Sequence, residues 1–455
     1  MILSAEQLEI IFCENETIFV EALAGTGKTS TLIEFAKERF DLNILYIVFN
    51  KEMKKESKNK FPANTEVHTI NSFSYKYIDG NFKNLTNNLN ELKIIEILKL
   101  NKSIENFKKA KQILQEFNIA MSSDIKIENQ TLNYQYEINY IYNLMISKKI
   151  KITHNAIMKH FIDNTNFKNF NYDYILIDEA QDINPEMLTI INKINSKKVF
   201  VGDIKQNIYK FRNTINIFNR KHLYKNSITL KLTKSYRFGE ELANFITKTT
   251  SIAYNQDFFI NGNEKITTKI IKNDNNIKKG FLHAYISRTN AELFEKAFEL
   301  TKNNIKVSIP FNWEEIKILI NSLFNLKIGL INKIENKEIK SFKSYDSFKE
   351  YAKISNDPEF SFLLKIIEKH GITIKDKLNI LEQNLSSPKY AETILLTAHK
   401  SKGLEFISVE IANDFKEYNY KTTIEEKNLI YVTLTRAKEK IYLNKDLSNF
   451  DIILK

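Results

Sequence analysis

Residues 21–32 read EALAGTGKTSTL. An apolar run, TIFVEAL (17–23), leads into them, and KTSTLIEFAKERF (28–40), patterned as an amphipathic helix, leads out. This predicts strand, turn and helix in succession. ALAGTGKT has the P-loop spacing x-x-x-x-x-G-K-T, with Ala22 where the commonest form has glycine. In that context the backbone of Ala22, Leu23, Ala24, Gly25, Thr26 and Gly27, and the helix start at Lys28, Thr29 and Ser30, can surround a phosphate. Lys28 can reach the outer phosphates and Thr29 can ligate Mg2+. Mg2+ and ATP are therefore the expected ligands. Glycine is scarce, ten residues in 455, so its placement is informative. Five of the ten (Gly25, Gly27, Gly202, Gly239 and Gly403) fall in the motifs discussed here.

The strand NILYIVF (43–49) completes a βαβ unit and implies a parallel sheet. The pattern is mainly helical from 79 to 165, and YDYILID (172–178) and SKKVFVGD (196–203) return to the first sheet. A second α/β region starts near Leu232, with a strand GFLHAYIS (280–287) and a helix AELFEKAFELTK (291–302). After a helical stretch from 311 to 387 come short strands ETILLT (392–397), ISVEIA (407–412) and KIYLN (440–444), with a helix across NLIYVTLTRAKE (428–439). The expected fold is α/β, with two nucleotide-binding-type lobes on parallel sheets and a mainly helical insertion in each. The domain boundaries read 1–78 with 166–231, an insertion 79–165, then 232–310 with 388–455, and an insertion 311–387.

In YILIDEAQD (174–182) an apolar strand ends in two carboxylates. Asp178 is placed to hold the metal, and Glu179 to orient and deprotonate the attacking water. The net charge of +12, from 67 Lys and Arg against 55 Asp and Glu, favours a polyanionic partner. Cys13 is the single cysteine, which excludes an internal disulfide framework, and the seven histidines show no ligand spacing, so no zinc site is expected. With no signal peptide and no apolar run of membrane-spanning length, a soluble, cytoplasmic protein with no membrane partner is expected.

The order of these parts resembles the superfamily 1 DNA helicases of the UvrD/Rep type, over nearly the whole chain, and implies RecA-like lobes. LSAEQ (3–7) resembles the upstream glutamine motif, which implies that Gln7 reads the adenine edge. VGDIKQNIYKFR (201–212) resembles motif III, with Gln206 the implied γ-phosphate sensor. KSYRFG (234–239) resembles motif IV, implying that Tyr236 stacks near the base and Arg237 touches the γ-phosphate. TAHKSKGLEF (397–406) resembles motif V, placing Glu405 near the sugar or phosphates. NLIYVTLTRAKEK (428–440) resembles motif VI, with Arg436 the implied arginine finger. Within the family, YIVFNKEMKKESKNKFP (46–62) and LTKSYRFG (232–239) look most like the F-box DNA helicase branch; with six residues before Gln7, no F-box segment is expected.

A motor on single-stranded DNA needs phosphate contacts and stacking platforms. The candidates are Phe49, Asn50, Lys51, Thr69, Phe73, Tyr209, Phe211, Thr397 and His399. Departures from the family pattern are Ser30 where arginine is common, Asn71 where histidine is frequent, and Phe211 where tryptophan is frequent. The aromatic of VFNK is displaced by one residue. The resemblance implies ATP hydrolysis by lobe closure, coupled to 3′–5′ translocation on single-stranded DNA and unwinding at junctions with duplex. The alternatives are a translocase or motor subunit that serves a nuclease or repair partner, and a nucleotide-gated DNA-binding module.

Overall fold

Near-continuous apolar runs build the first sheet. In the computed structural model, which describes residues 3–78, 85–86, 89–209, 214–272 and 283–448, the chain forms two units, Met1–Thr233 and Lys234–Lys455. The strands of the first unit are β1 (Thr17–Ala22), β2 (Ile44–Val48), β3 (Thr65–Thr69), β4 (Leu85–Thr86), β5 (Ile152–Thr153), β6 (Tyr174–Ile177), β7 (Lys197–Gly202) and β8 (Ser227–Leu232). Six of them form one parallel sheet in the order β3-β2-β6-β7-β1-β8, and β4 pairs with β5 alone. Successive side chains of a strand face opposite ways. Ile18, Val20, Tyr46, Leu176 and Val199 accordingly join Leu32 and Phe35 of helix Lys28–Glu38 in one core. Phe19, Leu45, Ile47, Ile175 and Phe200 join Phe73, Phe161 and Ile190 in the other. Both faces are covered, as an all-parallel sheet requires.

Between β3 and β6 the chain leaves the sheet for helices that include Glu91–Ile97, Ile104–Ser122, Gln135–Ile146 and His154–Asn164. Lys159 in the last of these is fully buried, and its ammonium donates to the Ser123 and Ile125 carbonyls and to Asp163.

The second unit repeats the plan. Its strands are β9 (Lys269–Lys272), β10 (His283–Ser287), β11 (Val307–Ser308), β12 (Thr393–Thr397), β13 (Phe406–Ile411) and β14 (Ala437–Leu443), all parallel, in the order β11-β12-β10-β13-β14-β9. The chain leaves this sheet after β11 for helices between Trp313 and Gln383, and returns at β12. One expected element is corrected. The helix read across 428–439 spans Ile424–Leu434, and residues from Ala437 onward are strand β14. Among the described residues no helix is long and apolar enough to cross a membrane.

Phe35 joins the sheet to helix Lys28–Glu38: its ring meets Tyr174 edge-on at 5.2 Å, and the Arg39 guanidinium lies 3.8 Å from its centroid. Truncating a buried aromatic leaves a cavity. Phe35→Ala is expected to cost about 3–5 kcal/mol in a denaturant melt.

Candidate nucleotide and nucleic-acid site

Ligands of open α/β sheets bind beyond the carboxyl ends of the strands. In the first unit the residues there are Leu23 after β1, Phe49 after β2, Asp178 after β6, Asp203 after β7 and Thr233 after β8. The turn after β1 depends on two glycines with positive φ, Gly25 at 73° and Gly27 at 81°, and Gly27 caps helix Lys28–Glu38. Side chains are strained in that region, which explains both glycines. The Thr26 hydroxyl donates to the Leu23 carbonyl at 2.9 Å, and Lys28 Nζ donates to the carbonyls of Leu23 at 3.0 Å and Ala22 at 3.4 Å. The lysine ammonium is thereby held over the loop. Ala22 and Ala24 are buried, and Ser30 is half-buried in the first turn of the helix.

The two expected metal partners meet. Thr29 Oγ1 donates to Asp178 Oδ2 at 2.7 Å. Tyr46, which the sequence reading missed, donates its hydroxyl to the same oxygen at 2.9 Å. The Glu179 amide donates to Oδ1 at 2.9 Å. Asp178 is 4% exposed. Burial raises its carboxyl pKa and the Glu179 charge adds to that, against the Thr29 hydroxyl and Lys28, which lower it. Burial also pushes the Tyr46 phenol up, with the Asp178 charge adding, so Tyr46 remains a donor. A hard divalent ion prefers oxygen ligands and usually binds through one or two protein groups plus substrate phosphates. A hydroxyl and a carboxylate in contact beside a phosphate-sized backbone loop fit Mg2+ with a nucleotide.

Glu179 adopts a left-handed backbone, φ 54° and ψ 42°. Its carboxylate accepts a hydrogen bond from Gln181 Nε2. Gln181 Oε1 in turn accepts from the Asp203 amide at 3.0 Å, and Asp203 Oδ2 accepts from Gln206 Nε2 at 2.7 Å. A continuous polar chain thus joins Glu179 to Gln206 through Gln181 and Asp203, neither of which was singled out from the sequence. Gly202 makes room for it, since a Cβ there would lie 2.3 Å from Gln181 Oε1.

Gln7 is buried in the helix Ala5–Ile11, whose Ser4 cap forms a capping box with Gln7 itself. Its Nε2 donates to Thr31 Oγ1 at 3.1 Å, which ties this helix to the P-loop helix.

In the second unit Arg237 donates from Nε to Glu405 Oε2 at 3.1 Å and from Nη1 to the Thr435 carbonyl at 3.0 Å. Glu405 also pairs with Lys438. Burial alone would raise the Glu405 carboxyl, but Lys438 and Arg237 outweigh it and hold it below the usual range. Tyr236 is exposed beside them. The Arg237 loop is fixed by close backbone packing. Gly239 N–H donates to Thr268 Oγ1 at 2.9 Å, and a Cβ on Gly239 would lie 2.0 Å from the Ile266 carbonyl oxygen.

Three expectations need correction in this conformation. Arg436 is 1% exposed, so it presents no free finger. Its guanidinium donates to the Val432 and Leu404 carbonyls at 2.8 and 3.1 Å and to Thr435 Oγ1 at 2.9 Å. Phe73 is 0% exposed, with Tyr77, Phe161, Phe170 and Tyr172 around its ring, so it offers no face to a base. Phe49 and Tyr209, read as separate platforms, stack on each other with centroids 5.3 Å apart.

Asn50 and Thr69 serve as helix caps, accepting from the Met53 and Ser72 amides at 2.8 and 3.1 Å. Lys51 is exposed, Thr397 is buried at the end of β12 and His399 is half-buried. Phe211 lies outside the described residues. Beside Thr69, Glu66 accepts from His68 at 2.9 Å and from Lys76 and Tyr172. Burial would raise the Glu66 carboxyl, but these donors bring it down to about 2.

The first unit is therefore the sheet and loop of a P-loop nucleotide-binding protein. Residues 3–226 match the UvrD/REP helicase N-terminal domain, and residues 393–444 match the UvrD-like helicase C-terminal domain. The chain belongs to the UvrD-like helicase family. It is 29% identical to F-box DNA helicase protein 1 of Schizosaccharomyces pombe, over 98% of this chain and 58% of that protein. It is 26% identical to F-box DNA helicase 1 of Gallus gallus, over 95% of this chain and 48% of that protein. RecBCD enzyme subunit RecB of Borreliella burgdorferi is 27% identical, over 97% of this chain and 36% of its own length. The chain spans about half the length of the F-box relatives it matches.

Two outcomes follow from this geometry. Phe73→Ala is expected to lower stability by about 3–5 kcal/mol; weakened DNA binding at unchanged stability would restore its role as a platform. Gly202→Ala is expected to displace Gln181 and to lower stability by about 1–3 kcal/mol in a denaturant melt.

Proposed function

We propose that the chain is an ATP-dependent DNA helicase that translocates 3′ to 5′ on single-stranded DNA and unwinds duplex at junctions. The observation that carries this reading is the contact of Thr29 and Tyr46 with Asp178, beside the P-loop and a constrained Glu179. Lys28 holds the outer phosphates of ATP. Thr29 and Asp178 would hold Mg2+, which would neutralise charge on the phosphate oxygens. Glu179 orients a water against the γ-phosphorus and takes its proton as the bond to ADP breaks, while Gln206 senses the γ-phosphate. Gln7 reads the adenine edge, with Ser30 beneath it and Tyr236 against the base. Arg237 touches the γ-phosphate in this scheme. Glu405, paired with Arg237, faces the sugar and phosphates.

The DNA contacts in this scheme are Lys51 and the Phe49–Tyr209 pair at the ends of β2 and β7 and, in the second unit taken by itself, Thr397 and His399 at the end of β12. The net charge of +12 favours the polyanion. The resemblance implies the polarity. Residues 79–165 and 311–387 are the insertions of the two lobes in this scheme. The likeness to RecB, a subunit of the RecBCD enzyme, supports a second reading: a motor subunit that moves on DNA and leaves unwinding to a partner.

The test is ATP turnover with and without single-stranded DNA, alongside unwinding of duplexes with 3′ or 5′ tails. Strong stimulation with unwinding from the 3′ tail alone is expected; stimulation without unwinding would favour the motor subunit, and no stimulation would overturn both. Lys28→Ala is expected to abolish turnover. Glu179→Gln is expected to bind ATP normally and to turn over at least about a hundredfold more slowly.

A further inference from the structure

The two units are contiguous in sequence, so the chain crosses between them once, at the Thr233–Lys234 peptide. Tyr236 and Arg237 follow within four residues. Both sides of the crossing are tied. The Leu232 carbonyl, at the end of β8, accepts from the amide of Leu23, the first residue after β1. The Thr233 amide donates to Glu6 Oε2 at 2.8 Å, and the Thr233 hydroxyl donates to Glu6 Oε1 at 2.6 Å. On the other side Lys234 bridges to Asn261, and the Ser235 amide donates to the Asn261 carbonyl at 2.8 Å.

Glu6 neighbours Gln7 on the helix Ala5–Ile11. The Ser4–Gln7 capping box fixes the start of that helix. Gln7 ties its middle to Thr31, and Arg39 donates to the carbonyls of Ile11 and Cys13 at 2.6 and 2.9 Å at its end. Two ties, Gln7 to Thr31 and Arg39 to the Ile11 and Cys13 carbonyls, thus couple this helix to the P-loop helix. Its carboxylate at position 6 holds the last residue of the first unit with both oxygens. Bidentate acceptance by a charged group is among the stronger hydrogen-bonding arrangements and fixes direction as well as distance.

We propose that Glu6 is a positioning residue, which transmits the state of the nucleotide loop to the crossing and so sets the placement of Tyr236 and Arg237. The proposal rests on the reading of the P-loop as an ATP site. Glu6 touches no phosphate in it; it acts through Thr233. Loss of the carboxylate leaves the loop, Lys28 and Asp178 in place and frees the crossing peptide from the helix coupled to them.

The test is amide exchange across residues 233–239, with and without a non-hydrolysable ATP analogue, in the full chain. In the wild type the analogue is expected to slow exchange there by at least about fivefold. In Glu6→Ala the slowing is expected to fall below about twofold, with the affinity for the analogue kept within about threefold. Glu6→Gln, which keeps one acceptor oxygen and the shape, is expected to restore most of the protection. Thr233→Val, which loses the hydroxyl alone, is expected to lie between the two. Full protection in Glu6→Ala, loss of protection only in step with lost affinity, or no nucleotide-dependent protection in the wild type would each overturn the proposal. Should Glu6→Ala fail to fold, the ranking of Glu6→Gln and Thr233→Val decides, and equal protection in both overturns it. A wild type without DNA-stimulated turnover would overturn the helicase reading and leave the exchange result to decide the role of Glu6.

Discussion

Burying a carboxylate is costly unless donors meet it, and Asp178 is buried. Three donors meet it: the Thr29 and Tyr46 hydroxyls on one oxygen and the Glu179 amide on the other. Thr29 lies 149 residues away in the chain and Tyr46 lies 132 away. The carboxylate is therefore satisfied only when β2, β6 and the helix after β1 stand in the correct sheet order. Removing one partner of such a buried group costs several kcal/mol, so the constraint specifies the fold as well as the site. It also explains why Tyr46 and not phenylalanine sits at a core position. The ring packs with Phe61 at 4.1 Å between centroids, while the hydroxyl serves the carboxylate.

Motifs whose spacing is set by local backbone geometry were legible. Gly25 and Gly27 announce a turn that needs positive φ, and the carboxylates after YILI announce the end of a buried strand. What the sequence hid depends on distant partners. Strand β3 carries Glu66 and His68, polar residues that the alternation rule discounts, and they are stabilised by Lys76 and Tyr172 from elsewhere. Phe73 looked like a platform because aromatic residues serve both cores and stacking faces, and only the packing of Phe161, Phe170 and Tyr172 around it distinguishes the two. The helix expected across 428–439 sits earlier in the chain, at Ile424–Leu434, because Thr435 and Arg436 continue its pattern while their side chains turn back onto the preceding turn.

The second unit handles positive charge differently from the first. Lys28 donates to the carbonyls of Ala22 and Leu23, whereas Arg237 and Lys438 share Glu405. A shared carboxylate keeps two cations close without strong mutual repulsion. Arg436 is satisfied by carbonyls and a hydroxyl. A buried guanidinium of this kind is fixed firmly, since each lost bond would leave a charged donor unsatisfied. It holds Leu404 against the end of helix Ile424–Leu434, so the segments 397–406 and 428–440 are one structural piece.

Within the first unit the bonds leave little freedom. The loop is joined to β8 through Leu23, the glutamine helix is joined to the P-loop helix through Thr31 and to the crossing through Glu6, and Glu179 is joined to Gln206 through two side chains. Packed, hydrogen-bonded elements shift between discrete arrangements and do not deform continuously. A change at the phosphate loop therefore has few places to be absorbed inside the unit. β8 has a weak apolar pattern at the sheet edge, yet it receives the bonds from both the loop and the glutamine helix. That makes it the element through which strain at the loop is passed on.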